Sequence, residues 1–558
     1  MRILFIARRF SYLKNFEGPI LELARRGHAL HLVALAGEGK LEGTAMLERW
    51  AEREPRITFE RLPPAPDQQS KLGLRARVSM MVDYLRYLDP AYHDAAGLIE
   101  RARRRTPVGF LKLLESRLAR YPPVLSKITA LLKRLEAATP RRPALDAFLR
   151  SQQADAVLFT PLIALQSEEQ DLLAAAAEQG LRTVFGVLSW DNLSSKALIR
   201  TMPDLVMVWN DVQGDEARHL HGVPDERIVV TGAQTFDIWF DRAPSKSRAE
   251  FLTHVGLPPD RPFLLWVCSS LFRTSPDEEP FVRRWIEAIR ASEDRLLRDV
   301  SILVRPHPAR MLDWQKTSLA NLGAVSLWGR LPVDTESRND YFDSMYYSEA
   351  VAGLNTSAFI EAAIVGKPVY TVLLPEFHES QGGTLHFPYL LNVGGGLLHA
   401  ARDMDAHMAD LAAALRDPAA GAERSRRFVA AFVRPHGLDT KATDRFVDAI
   451  EDLMRQPAPA PKRPLKPGLF AERLYAWLEP RSREGTVKAW LTTYNEIRHE
   501  GVKKVKIAKA RAREAKLAER AAHEQRKEEK QRRRELKLEE HRAAKRAKRK
   551  ETAEETLR

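Results

Sequence analysis

Residues Glu349 to Pro375 read EAVAGLNTSAFIEAAIVGKPVYTVLLP, and their pattern points to one architecture. A short apolar run ends at Leu354, and Asn355, Thr356 and Ser357 then bring side-chain oxygens of the kind that start helices. A mostly apolar helix follows, stopped by Gly366 and Pro368, and Val369 opens a second apolar, β-rich run. Strand, turn, helix, glycine and strand in that order form a βαβ crossover, the unit of a buried parallel sheet.

The same alternation extends in both directions. Upstream lie "PFLLWVCSS", "SILVRPHP" and "AVSLWG", and before them a separate series: "RILFIA", "ALHLVAL", "AVLFTPL", "TVFGVLS", "LVMVWN" and "RIVVTG". Helical patterns such as "EGPILELARRG" and "EEQDLLAAAAEQG" separate several of these runs, each ending at a glycine suited to a helix C-cap. The sequence therefore predicts an α/β protein of two doubly wound, Rossmann-like domains. The junction falls near "VVTGAQTFDIWF" or the following "APSKSRAEF", with the first domain taken as residues 1–227 and the second as 228–455.

Residues 68–142 break the alternation, being helical, basic and apolar on one face, as in "VGFLKLLESRLARYPPVLSKITALLKRL". They read as an insertion into the first domain. It is either a surface that meets anionic membrane or a helical subdomain packed on the sheet with a solvated basic face. "QPAPAPKRPLKPG", residues 456–468, reads as an extended proline-rich linker. Residues 469–558 then hold short amphipathic segments with Trp477 and Trp490, followed by a charged helical tail. That tail is read as an arm for anionic lipid or nucleic acid, or as a solubilising extension.

The chain has 558 residues, 44% of them hydrophobic, and a formal net charge of +14. The charge is local. Residues 503–550 hold 21 Lys/Arg against 8 Asp/Glu and residues 70–142 hold 16 against 6, which leaves the remaining body net acidic. One cysteine, Cys268, excludes a disulfide framework and Cys-based metal sites and suits a reducing compartment. "MRILFIARRF" is too short in apolar residues for a signal-peptide core and reads as a first strand. With no apolar stretch of membrane-spanning length, the expectation is a cytoplasmic protein, peripheral on the inner membrane face if its basic segments dock there.

Several cofactor chemistries find no support. "ARRFSYLKNFEG" after the first strand lacks G-x-G-x-x-G, and "LVALAG" lacks the acidic residue of a dinucleotide site. No P-loop, H-E-x-x-H or clustered Asp/His set is present, so neither a metal nor a cofactor is expected.

Polar groups gather at strand ends of the second half. Asn355, Thr356 and Ser357 start a helix whose amides suit an anion. They are equally ordinary caps. Glu361 stands one to two turns into that helix among apolar neighbours, where an unpaired carboxylate is costly; at a cleft rim it would accept from a ribose diol. "SILVRPHPAR" delivers Arg305 and His307 to a loop stiffened by two prolines, for a diphosphate or to cap a turn. "VCSSLFRT" places Ser269, Ser270 and Arg273 after another strand, and "PEFHESQGGTLHFP" brings His378, Glu379, Gln381 and His386 to the same edge. In the first half, "GVLSWDNLSSKAL" offers Asp191 as a general base or a helix cap, with Trp190 to stack on a sugar. His28 in "ARRGHALHL" reads as a connection residue.

The order "VTGAQTFD", "RPHP", "NTSAFIEAAIVGKPV" and a Gln-bearing loop resembles the donor domain of GT-B glycosyltransferases. The likeness is closest to bacterial surface-polysaccharide enzymes and the CDP-glycerol glycerophosphotransferase group, and it spans about Met1 to Arg455. It implies a nucleotide pyrophosphate on Asn355 to Ser357, its ribose on Glu361, Arg305 and His307 assisting the leaving diphosphate, and Gln381 touching the transferred group. It further implies that "ERSRRFVAAFV" and "KATDRFVDAIEDLM" cross back towards the first domain. The glycine-rich turn of many members is absent from the first half, and the basic insertion has no counterpart in compact members. The function implied is metal-independent transfer of a sugar or glycerol phosphate from a nucleotide-activated donor to a surface-glycan or lipid-linked acceptor. A UDP-sugar 2-epimerase on the same fold is the nearest rival. A non-catalytic nucleic-acid binder acting through its basic tail is the rival from another class.

Overall fold

The computed structural model describes residues 1–35, 43–62, 73–117, 121–163, 168–272, 275–315, 317–329, 334–501 apart from 418, and 545. Residues 1–491 form one compact unit and 492–558 a second.

Seven strands make the first sheet: β1 (Arg2–Ala7), β2 (Ala29–Ala34), β3 (Ile57–Arg61), β4 (Ala156–Thr160), β5 (Arg182–Gly186), β6 (Leu205–Val208) and β7 (Ile228–Val230). They lie in the order β3-β2-β1-β4-β5-β6-β7, and every neighbouring pair is parallel. Six more make the second: β8 (Phe263–Val267), β9 (Ser301–Arg305), β10 (Val325–Leu327), β11 (Ala350–Gly353), β12 (Val369–Val372) and β13 (Leu398–Ala401). Their order is β10-β9-β8-β11-β12-β13, again all parallel.

Both orders reverse beside the first strand of the sheet. The two predicted doubly wound domains are therefore the observed architecture, and each has a switch-point crevice beyond the carboxyl ends of its strands. Strands β4, β6, β8, β9, β11 and β12 are buried at every position. Helices on both faces explain this, and the strands accordingly read as continuous apolar runs.

The opening βαβ unit folds as its sequence indicates. The helix Ala358–Ile364 is seven residues long, so Glu361 lies in its first turn, earlier than the sequence placed it. Gly366 then takes φ +75°, and its N–H and that of Lys367 close onto Ala363 and Ala362. Only glycine adopts that conformation without strain.

Three boundaries differ from expectation. Because β7 pairs with β6, the first sheet runs past residue 227, and the second sheet starts only at Phe263. The proline-rich segment is laid along the first domain: Lys462 N–H donates to Ala177 at 2.8 Å and its ammonium meets Asp204 at 2.7 Å. Beyond it, helix Leu469–Arg481 packs on helix Pro122–Ala137, and helix Gly485–Leu491 packs on Val108–Glu115, where Trp490 covers Gly109. Insertion and C-terminal helices thus share one apolar core. Of the two crossing helices, Ala442–Arg455 buries Phe446, Val447 and Ile450 in the core of the first domain. The preceding helix, Ala422–Phe432, stays in the core of the second.

Part of the insertion's positive charge is buried or paired within the protein. Arg77 and Arg86 are buried, and Arg75, Arg103, Arg104, Arg141 and Arg142 pair with carboxylates. Packing within the protein, the second reading of residues 68–142, accounts for these seven of the 16 Lys/Arg in 70–142. The tail at 503–550 lies outside the described residues, apart from Lys545. Among the described residues no helix is long and apolar enough to cross a membrane.

Candidate functional site

The second-domain strands run parallel, so the loops after β8, β9, β11 and β12 open on one edge, and the switch point lies between β8 and β11. Ser269 and the Asn355–Ser357 turn straddle it. Glu278 organises this corner, accepting from the Ser269 N–H at 2.7 Å and from the Trp266 indole at 3.2 Å. Burial raises its carboxyl to about 8. The Ser269 hydroxyl in turn accepts from the Asn355 N–H at 3.0 Å. The Asn355 amide donates to the Ser380 carbonyl, and the Ser380 hydroxyl meets the Phe272 N–H at 3.2 Å and Ser275 at 2.7 Å. Three loops from distant parts of the sequence are tied into one wall. Asn355 Oδ1 is buried there with no partner among the described residues, while Ser270 and Ser357 are exposed. His307 is partly buried, and burial together with Arg310 lowers its pKa, favouring the neutral imidazole.

Glu361 is the group with the most unusual setting. Its carboxylate accepts from the Tyr341 hydroxyl, and burial pushes its pKa up to about 7 against the opposing pull of Tyr341, Lys14 and Arg242. Lys14 belongs to the first domain, so Glu361 faces the side where the domains meet. Tyr341 also lies under the Arg305 guanidinium at 5.0 Å and edge-on to Trp239 at 5.7 Å. Tyr341 connects the two residues picked from the sequence, and nothing in its own motif signals that.

Two expected ligand contacts are directed elsewhere. Arg305 is 5% exposed, donates to the Asp340 carbonyl at 3.3 Å and sits against Gly329. Its guanidinium serves the turn and Tyr341 rather than an open diphosphate site. Gln381 is 1% exposed, and its Nε2 donates to Leu354 and Val372 carbonyls at 3.1 Å each and to Thr371 at 3.3 Å. It joins the ends of β11 and β12 instead of reaching a transferred group. Arg273 lies outside the described residues.

In the first domain, Asp191 accepts from Ser189 at 2.7 Å, Ser195 at 2.9 Å and the Lys196 ammonium at 2.8 Å. Burial alone would raise its pKa, but Lys196, His386 and the serine hydroxyls outweigh it and hold the carboxyl far below the usual range. So strongly stabilised an anion is a weak proton acceptor, which corrects the general-base assignment. Its neighbour Trp190 is 6% exposed and meets the His386 ring edge-on at 4.8 Å, so it contacts a histidine of the second domain and not a sugar. His386 is buried with an unpartnered Nδ1, and burial lowers its pKa to about 4. His28 pairs with Glu451 at 2.9 Å, helping to dock the returning helix.

The insertion holds this loop in place. Arg86 donates to the Ser194 carbonyl at 2.6 Å, Arg101 to Ser195 at 2.5 Å, and Asp83 accepts from the Leu198 N–H at 2.9 Å. It also touches the second domain, with Arg101 stacked over Phe272 at 5.1 Å and the Gly97 N–H donating to the Gly383 carbonyl at 2.9 Å. Sequence reading set the insertion apart from the site. The structure makes it a third wall.

No protein-family model matches the sequence, and no curated protein does. Among solved structures, a glycosyltransferase from Rickettsia africae aligns over 82% of this chain and 99% of its own at 11% identity and TM-score 0.47. The glycosyltransferase WaaG, involved in lipopolysaccharide biosynthesis, aligns over 81% and 99% at 13% identity and TM-score 0.43. A UDP-GlcNAc 2-epimerase from Neisseria meningitidis, bound to UDP-GlcNAc, aligns over 81% and 100% at 13% identity and TM-score 0.46.

Elsewhere, His254, Glu336 and Asp340 are the one group among the described residues with spacing for a metal ion. The Lys246 ammonium already sits 2.9 Å from Asp340. That leaves the group an ion-pair network.

Proposed function

We propose that the protein transfers a sugar, or glycerol phosphate, from a nucleotide-activated donor held at the β8/β11 switch point to an acceptor hydroxyl entering from the first domain. The observation that carries this reading is Glu361: a partly buried carboxyl on the switch-point helix, poised near neutral pH and facing the other domain. A carboxylate in that position can accept both hydroxyls of a ribose, and the gain in hydrogen bonding would offset its desolvation.

In this reading the donor diphosphate lies against Ser269, Ser270 and the Asn355–Ser357 turn, with neutral His307 donating to it as negative charge develops on departure. Breaking the bond from the transferred group to the diphosphate oxygen leaves the electron pair on that oxygen. The acceptor oxygen forms the new bond and gives up its proton. That proton passes to solvent, because burial makes His386 and the pairing with Lys196 makes Asp191 poor proton acceptors near neutral pH. Acceptor chemistry is a glycan or a lipid-linked sugar, as the resemblance implies.

Titration calorimetry with a panel of nucleoside diphosphate sugars tests the donor site. Glu361→Ala and His307→Ala are each expected to weaken binding by about tenfold, one lost hydrogen bond to a charged group. Affinities unchanged in both variants would remove the donor site from this edge. Product analysis with and without acceptor separates transfer from epimerisation, since an epimerase releases an isomerised sugar without any acceptor.

A further inference from the structure

Helix Leu469–Arg481 is anchored by one face only. Ala471 is 1% exposed and, with Leu474, Tyr475 and Leu478, packs into the core shared with the insertion. The opposite face keeps large apolar groups in water: Leu469 is 74% exposed, Phe470 70% and Trp477 50%, and Leu465 just before the helix is 57% exposed. A helix already packed along its inner side has no use for these side chains in folding. Their exposure therefore points to a surface that is covered by something else.

The charges around them narrow what covers it. At 3.6 residues per turn, Phe470, Arg473, Trp477 and Arg481 fall on one stripe, so aromatic and guanidinium groups alternate along it. The Arg481 guanidinium lies 4.6 Å over the Trp477 ring and donates to the Trp477 carbonyl at 2.9 Å. Residues 463–483 carry five Lys/Arg against two Glu, and those glutamates, Glu472 and Glu479, stand together on the far flank of the helix.

We propose that this stripe docks on a bilayer containing anionic lipid. Phe470 and Trp477 enter the headgroup boundary, while Arg473 and Arg481 remain at the level of the phosphates. An apolar protein partner would not need the intervening cations, and a nucleic acid would not need Leu469 and Leu465. This surface is distinct from the basic tail and from residues 68–142, and it does not depend on the reaction assigned to the donor site.

Co-sedimentation of the full chain with vesicles tests it, using phosphatidylcholine alone and phosphatidylcholine with about one-third phosphatidylglycerol, at low salt and at about 0.5 M salt. The Phe470→Ser/Trp477→Ser variant is expected to bind anionic vesicles about tenfold more weakly at both salt concentrations. Arg473→Glu/Arg481→Glu is expected to lose binding at low salt only. Brominated lipid should quench the wild-type tryptophan emission more than that of Trp477→Phe, a conservative change that keeps the test open if the double variant misfolds. Wild-type partitioning by the aromatic variant with equal quenching in Trp477→Phe overturns the proposal. So does light scattering that shows a wild-type dimer dissociated by the same substitutions with vesicle binding unaltered, since the face would then join two copies.

Discussion

Glu361 carries a proton question that can be answered by titration. Burial lifts its carboxyl from 4.5 to about 7, so between those values the folded protein holds a proton that the unfolded chain releases. Its effect on stability therefore becomes less favourable as pH rises from about 4.5 to about 7, and Glu361→Gln should remove that loss. Donor binding should run the other way. If the carboxylate accepts the ribose hydroxyls, affinity for a nucleoside diphosphate sugar rises by about tenfold from pH 6 to pH 8, following ionisation of one group near 7. The diphosphate diester itself does not titrate in that range. Calorimetry across the range should show this rise in the wild type and a flat profile in Glu361→Gln; a slope retained by the variant would assign the proton elsewhere. Residue chemistry was legible at this scale, but orientation was not. The motifs around Arg305, Gln381 and Asp191 show which groups arrive at strand ends. They do not show that Asp340, Leu354 and Lys196 wait there as partners, because those partners lie far away in sequence or in a loop whose fold is set by the insertion.

Elements were legible where burial was complete. The apolar strands stand out because helices cover both faces, whereas β3 and β13 sit at sheet edges, are only partly buried and do not stand out as strands. The run "RIVVTG" is legible as a strand, and its pairing with β6 carries the first sheet past residue 227. The returning helix Ala442–Arg455 is fixed by an ion pair that sequence separation conceals. Arg434 donates to Asp237 Oδ1 at 2.8 and 3.1 Å, and Asp237 Oδ2 accepts from the Thr443 N–H at 2.7 Å, all of it buried. Asp237→Ala leaves a buried guanidinium and a helix-end amide without their acceptor. It should cost about 3–5 kcal/mol in urea unfolding, the range for breaking a buried pair. A loss below about 1 kcal/mol would mean that solvent replaces the carboxylate at little cost.

At the scale of the molecule, the insertion ties both domains to the site. Gly97 marks its closest approach: a Cβ there would lie 2.1 Å from the Glu379 carbonyl oxygen and 3.0 Å from that of Gly383. Gly97→Ala should push the insertion off the second-domain loop while leaving both sheets intact. We expect small-angle scattering to show a more open particle and turnover to fall by about tenfold, with far-UV circular dichroism unchanged. Unaltered turnover would show that this contact is not needed for closure. Composition revealed the insertion as a basic, helical block, but its attachment through Arg86, Arg101 and Gly97 follows only from the way the chain packs. If the β8/β11 crevice is the donor site, a crystal structure with a bound nucleoside diphosphate sugar will place the diphosphate between Ser269 and Thr356 and the ribose hydroxyls on Glu361. A nucleotide found instead at the β1/β4 crevice of the first domain, or one that leaves Glu361 bonded to Tyr341 alone, would contradict it.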